Sequence, residues 1–175
     1  MISLSLLDYR ALGTASTTLY ILGILSLGIL FIPGIGTQIA GSTRWIDLGF
    51  FQFQPSELFK FILIIVLAKY YSQHVEEIKF RHIMVGFFLT LLPIILILLE
   101  PDFGSAMILL VVYPVILFSS GIRKLYLAIM GIVFLILAPI IWLFLKDYQK
   151  ERIISFFNPS ANPFGSGYNV LQSII

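Results

Sequence analysis

GSTRWIDLGFFQFQPSELFK, residues 41–60, gathers charge, turn residues and one of the chain's two tryptophans, while the sequence on either side is overwhelmingly apolar. It holds an arginine beside a tryptophan, then an aspartate, then Pro-Ser-Glu opening an apolar run that keeps a lysine. Such ionisable groups are costly beside a bilayer and persist where they face a bundle interior or a water-filled cavity. The chain is therefore read as organised around this loop and the helix it starts.

Of the 175 residues, 59% are hydrophobic and 11% charged, against about 25% charged in an ordinary soluble domain. That much apolar surface does not fit inside one small globule. Uncharged runs of about 17–25 residues, the length that spans a hydrocarbon core, recur along the sequence. The expected fold is an all-α polytopic membrane protein with about five transmembrane helices and a long extracytoplasmic C-terminal loop. A net charge of +2 without a Lys/Arg-rich block argues against nucleic acid as a partner. The absence of cysteine removes disulfides and thiolate metal sites. No charged region followed by a short apolar stretch and a small-residue cleavage site opens the sequence, so no removable signal peptide is expected.

The first span is expected at about 14–33, with Gly23, Ser26 and Gly28 suited to close helix packing and Pro33, Gly34 and Gly36 ending it. Residues 34–54 read as an outer loop. Pro55 suits a first helical position, because its missing N–H would be unpaired there anyway. The second span, 55–72, would be about 27 Å long at about 1.5 Å per residue. Further spans are expected at about 83–99, where Pro93 predicts a kink, at 103–120 and at 125–145. His74 and His82 flank a charged connection and read as solvated loop residues rather than ligands. Residues 146–175 are polar and rich in Asn, Pro, Gly and Ser, and read as a loop rather than a sixth span.

Counting basic residues near span ends favours an inward amino terminus, with Arg10, Lys69, Lys79, Arg81, Arg123 and Lys124 on the cytoplasmic side. Residues 34–53 and 146–175 then face outward together with Glu100 and Asp102, which points to an extracytoplasmic site.

Glu57 and Lys60 stand three apart and share a helix face, so they can pair. They fit either a functional cavity or, separately, a carboxylate at a helix N-terminus and a snorkelling lysine. Arg44 beside Trp45 fits both an interfacial anchor and a bidentate grip on phosphate. Asp102 reads first as the cap of the fourth helix and Glu100 as the end of the third, and two carboxylates this close could also perturb each other or bind an ion.

The segments GSTRWIDLGFFQFQPSELFK, LLEPDFGSAMILL, FSSGIRKLYL and KDYQKERIISFFNPSANPFGSGYNVLQSII, in this order and spacing, closely resemble the RodA/FtsW (SEDS) family of bacterial cell-wall polymerases. Tyr148-Gln149 and Glu151-Arg152 lean toward the RodA-like elongation branch, while residues 162–168 suit the FtsW-like division branch about as well. The family has about ten spans, so the chain corresponds to an interior part of such a protein. The resemblance implies a glycosyltransferase of the bacterial inner membrane that polymerises lipid II, the lipid-linked peptidoglycan precursor. It also implies membrane lipid around the chain and a class B penicillin-binding protein as partner.

In such a reaction a carboxylate takes the acceptor hydroxyl proton, and basic residues or a divalent cation offset the charge on the departing pyrophosphate. By motif position, Arg44, Glu57, Lys60, Asp102 and Arg152 correspond to the family's substrate-binding polar residues. Asn162 stands where the family's loop carries its catalytic aspartate, and an amide is not a competent base near neutral pH. Asp147 and Glu151 are the nearby loop carboxylates. Two other classes fit the same residues: a flippase or transporter for the lipid-linked precursor, which suits intramembrane charges and proline-interrupted helices, and a non-catalytic membrane module that binds a partner.

Overall fold

A computed structural model of the chain describes residues 9–33, 36–39, 42–47, 49, 51–75 and 78–157. It forms two units, Met1–Leu127 and Ala128–Ile175.

In the first unit, helix α1 (Tyr9–Gly28) runs into a 3-10 turn, Ile29–Phe31. A three-stranded antiparallel sheet follows, in the order β1 (Gly36–Ile39), β2 (Ser42–Asp47) and β3 (Gln52–Phe53). The loop expected at 34–54 thus holds a small sheet, while the rest of the described chain is helical, as expected of an all-α polytopic fold. β-branched and aromatic residues such as Thr43, Trp45 and Ile46 favour extended backbone. The β2–β3 connection is tightened by Asp47, whose Oδ1 accepts from the Gly49 N–H at 2.8 Å, a local turn that this side chain makes readily. Gly49 has φ +82°, which costs a residue without Cβ little.

Helix α2 (Pro55–Ser72) starts with Pro55 in its first turn, after an extended Gln54. Its buried residues Pro55, Phe59, Ile62, Leu63, Val66, Leu67 and Tyr71 recur at helical spacing and form one apolar stripe. α2 is the centre of the unit: it packs on α1, on α4 (Phe103–Ser119) and more lightly on α3 (Phe80–Leu99), while α3 and α4 pack on each other. Leu109, Tyr113 and Leu117 form the facing stripe of α4.

Close approach sets which small residues matter. A Cβ added to Gly23 would lie 2.8 Å from the Phe59 ring and 3.1 Å from Ile62 Cδ1, so Gly23 is what lets α1 lie against α2. Gly28 has nothing within 4 Å of that position, and the Ser26 hydroxyl donates to the Gly23 carbonyl of its own helix at 2.7 Å. Of the three small residues expected to pack, Gly23 carries the contact. Gly86 on α3 faces the Tyr71 hydroxyl so closely that a Cβ would overlap it.

Pro93 lies inside α3. Having no N–H, it cannot donate to the carbonyl four residues back, that of Leu89. The Tyr20 hydroxyl of α1 donates to that carbonyl at 2.9 Å, so a neighbouring helix supplies the missing donor.

α3 begins at Phe80, earlier than the span expected at 83, because the polar residues before it are part of its first turn. His82 is there and buried, its Nδ1 accepting from the Lys79 N–H at 3.1 Å. Its ring lies 4.2 Å, centroid to centroid, from that of His74. The solvated-loop reading is therefore corrected for His82, which is buried in the first turn of α3, while His74 stays in the turn after α2, half-buried against the His82 ring.

Helix α5 (Lys124–Phe144) is apolar all round and buries none of its residues within the chain, as expected of a helix whose surroundings are themselves apolar. Leu12–Phe31, Phe80–Leu99 and Lys124–Phe144 are each long and apolar enough to cross a membrane. In the second unit, Asp147–Phe157 forms α6, correcting the expectation of loop from residue 146 onward. The Gln149 side chain accepts from the Lys146 N–H at 2.9 Å, one half of a capping box. Residues 158–175 lie outside the described residues.

Candidate functional site at one end of the bundle

The sheet, the start of α2 and the α3–α4 turn meet at one end of the first unit, and Asp102 joins them. As the N-cap of α4, its Oδ1 accepts from the Ser105 N–H at 3.3 Å, which satisfies one of the unpaired donors of a helix start. Its Oδ2 accepts from Gln54 Nε2 at 3.0 Å and from the Ser56 hydroxyl at 3.1 Å. Arg44 Nη1 lies 3.5 Å from Oδ1, at the far limit of a hydrogen bond and better described as an ion pair. One carboxylate, 4% exposed, thus ties a strand and two helices together.

Arg44 reaches this position through an irregularity. Thr37 pairs with Trp45 and Gln38 with Thr43, so Arg44 is the extra residue of a β-bulge, a device that re-aims side chains and often borders functional sites.

Electrostatics divide the two carboxylates of the turn. Burial alone would lift the Asp102 carboxyl, but hydrogen bonds from Ser105 and Ser56 and the Arg44 charge together hold it below the ordinary value. Asp102 is a carboxylate at neutral pH. Glu100 is 2% exposed, and neither carboxyl oxygen has a partner among the described residues. Burial, reinforced by the nearby Asp102 charge and only partly offset by Arg44, pushes it up to about 8. It lines a cavity of about 260 Å³ with Leu30, Phe31, Ile32, Pro33, Gly36 and Leu99.

Lys60 Nζ lies 2.7 Å from Glu57 Oε1. The pair forms, with Lys60 largely covered and Glu57 about half exposed; no capping bond is made by the side chain of Gln54. Glu57 and Lys60 bond each other rather than Asp102, although Ser56 and Lys60, four apart, share a face of α2. Arg152 falls within α6, its side chain outside the described residues, and Asn162 is also outside them. Among the described residues, Arg44 and Asp102 are candidates that the fold brings into contact from distant parts of the sequence.

Gln54 and Ser56 were not singled out from the sequence. The available signal was their position, two polar side chains flanking the proline that starts an apolar helix. No group of three or more His, Asp or Glu side chains able to hold a metal occurs among the described residues. Among the described residues Glu100 and Asp102 have no third acidic or histidine ligand beside them, and Arg44 already holds a positive charge against Asp102, so these residues do not fit a divalent cation on their own.

The family described as "Cell cycle protein", comprising FtsW, RodA and SpoVE, matches residues 1–175. The chain is 37% identical to a probable peptidoglycan glycosyltransferase FtsW of Saccharophagus degradans over 167 residues, 91% of this chain and 42% of that protein. A protein of the same description from Coxiella burnetii is 37% identical over 166 residues, 93% of this chain and 44% of its own length. The chain thus spans less than half the length of these relatives.

Among solved structures, a chain of a peptidoglycan synthase complex that coordinates polymerization and crosslinking aligns with a TM-score of 0.70 at 32% identity, covering 98% of this chain and 51% of that one. The rod shape determining protein RodA of Thermus thermophilus aligns with a TM-score of 0.62 at 31% identity, covering 77% of this chain and 44% of that one. With a match over its whole length and a shared helical fold, the chain belongs to the FtsW/RodA/SpoVE family of multi-pass membrane proteins.

Proposed function

We propose that this chain carries part of the active site of a peptidoglycan glycosyltransferase of the bacterial inner membrane, acting on lipid II beside a class B penicillin-binding protein. The observation that carries this reading is the contact of Arg44 with Asp102, which unites the RW, QPSELFK and EPDFG segments at one bundle end. In this reading α1 to α5 cross the membrane, and the sheet and the α3–α4 turn lie at the extracytoplasmic face.

At that face Arg44 is suited to a pyrophosphate. The 3.5 Å separation from Asp102 is a loose ion pair, and a phosphate offers a guanidinium shorter, bidentate bonds. Asp102 then keeps its bonds from Ser56, Gln54 and Ser105 and orients the arginine. Lys60, largely covered and held by Glu57, supplies a second positive charge one to two turns into α2. Positive charge fixed before the reaction stabilises the leaving pyrophosphate as its charge develops. The apolar groove of about 380 Å³ lined by Ile64 and by residues of α4 from Met107 to Ile116 is chemically suited to hydrocarbon, as membrane lipid or as the substrate's lipid tail.

The family's acid position in the loop is Asn162 here, which can hydrogen-bond but does not accept a proton at neutral pH. The test is formation of glycan polymer from purified lipid II by the protein reconstituted in bilayers with its penicillin-binding partner. Polymer formation that falls at least tenfold in Arg44→Ala supports the reading. Transport of lipid II across the bilayer without polymer would replace it with a flippase.

A further inference from the structure

We propose that Glu100 is the proton acceptor for the sugar hydroxyl in this chain, and that the cavity it lines receives the acceptor sugar. The inference rests on the polymerase reading above. A carboxyl group only 2% exposed, with neither oxygen bonded among the described residues, is costly to fold around. A native structure that keeps such a group calls for a reason, and use by a ligand or a reaction is one.

The surroundings narrow the ligand. The cavity of about 260 Å³ is lined by Leu30, Phe31, Ile32, Pro33, Gly36 and Leu99, none of them charged. The charged groups acting on Glu100 are Asp102, at the start of α4, and Arg44, on β2. A cationic ligand would meet Arg44, and an anionic one would meet Asp102 and Glu100 itself. A neutral, hydroxyl-bearing ring suits a lining that combines apolar side chains with one carboxyl.

Two residues along the chain, Asp102 is locked by Ser56, Gln54, Ser105 and Arg44. Its lone pairs are engaged and it is held ionised, the properties of an orienting group. Glu100 has the opposite properties, unengaged and poised near the working pH, which are those of a general base. Two carboxylates whose environments drive them apart in this way divide into different roles. In the step, the acceptor hydroxyl proton passes to a Glu100 oxygen and the hydroxyl oxygen bonds to the anomeric carbon. The bond from that carbon to the pyrophosphate oxygen breaks, and the lipid pyrophosphate leaves with the electron pair beside Arg44.

The test compares Glu100→Gln, Glu100→Asp and Asn162→Asp with the unaltered protein, reconstituted in bilayers with lipid II and its penicillin-binding partner, over pH 6 to about 9.5. Glu100→Gln removes the base at constant shape. The expected result is a loss of about 100-fold in polymerisation, disappearance of the limb that rises through pH 8, partial recovery in Glu100→Asp, and a far smaller change in the binding of lipid II than in the rate. Polymerisation by Glu100→Gln at the unaltered rate overturns the proposal. Activity that appears only with Asn162→Asp also overturns it and leaves the polymerase reading intact. If neither the unaltered protein nor Asn162→Asp makes polymer, the polymerase reading falls, and the base assignment with it.

Discussion

Arg44 and Asp102 are 58 residues apart in sequence, and they meet because a β-bulge projects one from the sheet while a helix start fixes the other. Removing one partner of such a covered pair takes an opposite charge away from the other. Asp102→Ala takes the acceptor from Arg44, Gln54 and Ser56 at once and should lower stability by about 3–5 kcal/mol. Asp102→Asn keeps shape and one acceptor and should cost less. Chemical denaturation in detergent, with helix content as the signal, measures both; equal losses would contradict the charge-based account.

The pH dependence of stability separates the two turn carboxylates. Asp102 has a folded-state value below its unfolded one, so its contribution is present above the unfolded value and is lost as pH falls through the folded one. Glu100 runs the other way. It is raised from 4.5 to about 8, so the folded state holds a proton that the unfolded chain has released. Stability therefore declines as pH rises from about 4.5 to about 8 and levels above that. Glu100→Gln should flatten this decline and leave the protein more stable than the unaltered chain at pH 8, read as a higher melting temperature in detergent. A substitution that lowers stability at pH 8 would show that Glu100 has a bonded partner.

Tyr20→Phe leaves the Leu89 carbonyl, which Pro93 deprives of its helical donor, without the Tyr20 hydroxyl. The expected cost is about 1–2 kcal/mol. The double variant Tyr20→Phe with Pro93→Ala should recover most of it, since the alanine N–H restores the bond within α3. Failure of the second substitution to compensate would break the proposed link between the two helices.

Gly86→Ala drives a methyl group into the Tyr71 hydroxyl and against Tyr113, whose Cε2 would be 3.1 Å away. A loss of about 1–3 kcal/mol is expected, whereas Gly28→Ala, with open space at its Cβ position, should be neutral or slightly stabilising through helix propensity. Thermal unfolding of the two variants side by side distinguishes them.

How much of this was readable in advance differs from element to element. Long apolar runs report helices reliably, and Pro55 marked the start of α2 because proline is tolerated at that position and disfavoured farther in. The sheet was hidden by brevity. Its strands are short, and the alternation around Trp45 was overshadowed by charge and glycine. α6 was hidden by its neighbourhood, since the Asn/Pro/Gly-rich tail drew attention from the helix-favouring run Asp147 to Arg152.

At the site, the family resemblance picked out Arg44 and Asp102, and only folding reveals that they touch. Gln54 and Ser56 carried no charge to draw notice. His82 lies among charged neighbours, which suggest solvent, while its ring packs inside the chain. The state of Glu100 depends on burial against residues from the end of α1 to β1, which local sequence does not encode.

The most direct measurement is the rate of glycan polymer formation from lipid II by the reconstituted protein and its penicillin-binding partner, with and without Asp102→Asn. A bundle-end site organised by Asp102 predicts a fall of at least tenfold with folding preserved, because Arg44 loses the charge that orients it. Polymerisation by Asp102→Asn at the unaltered rate would contradict it.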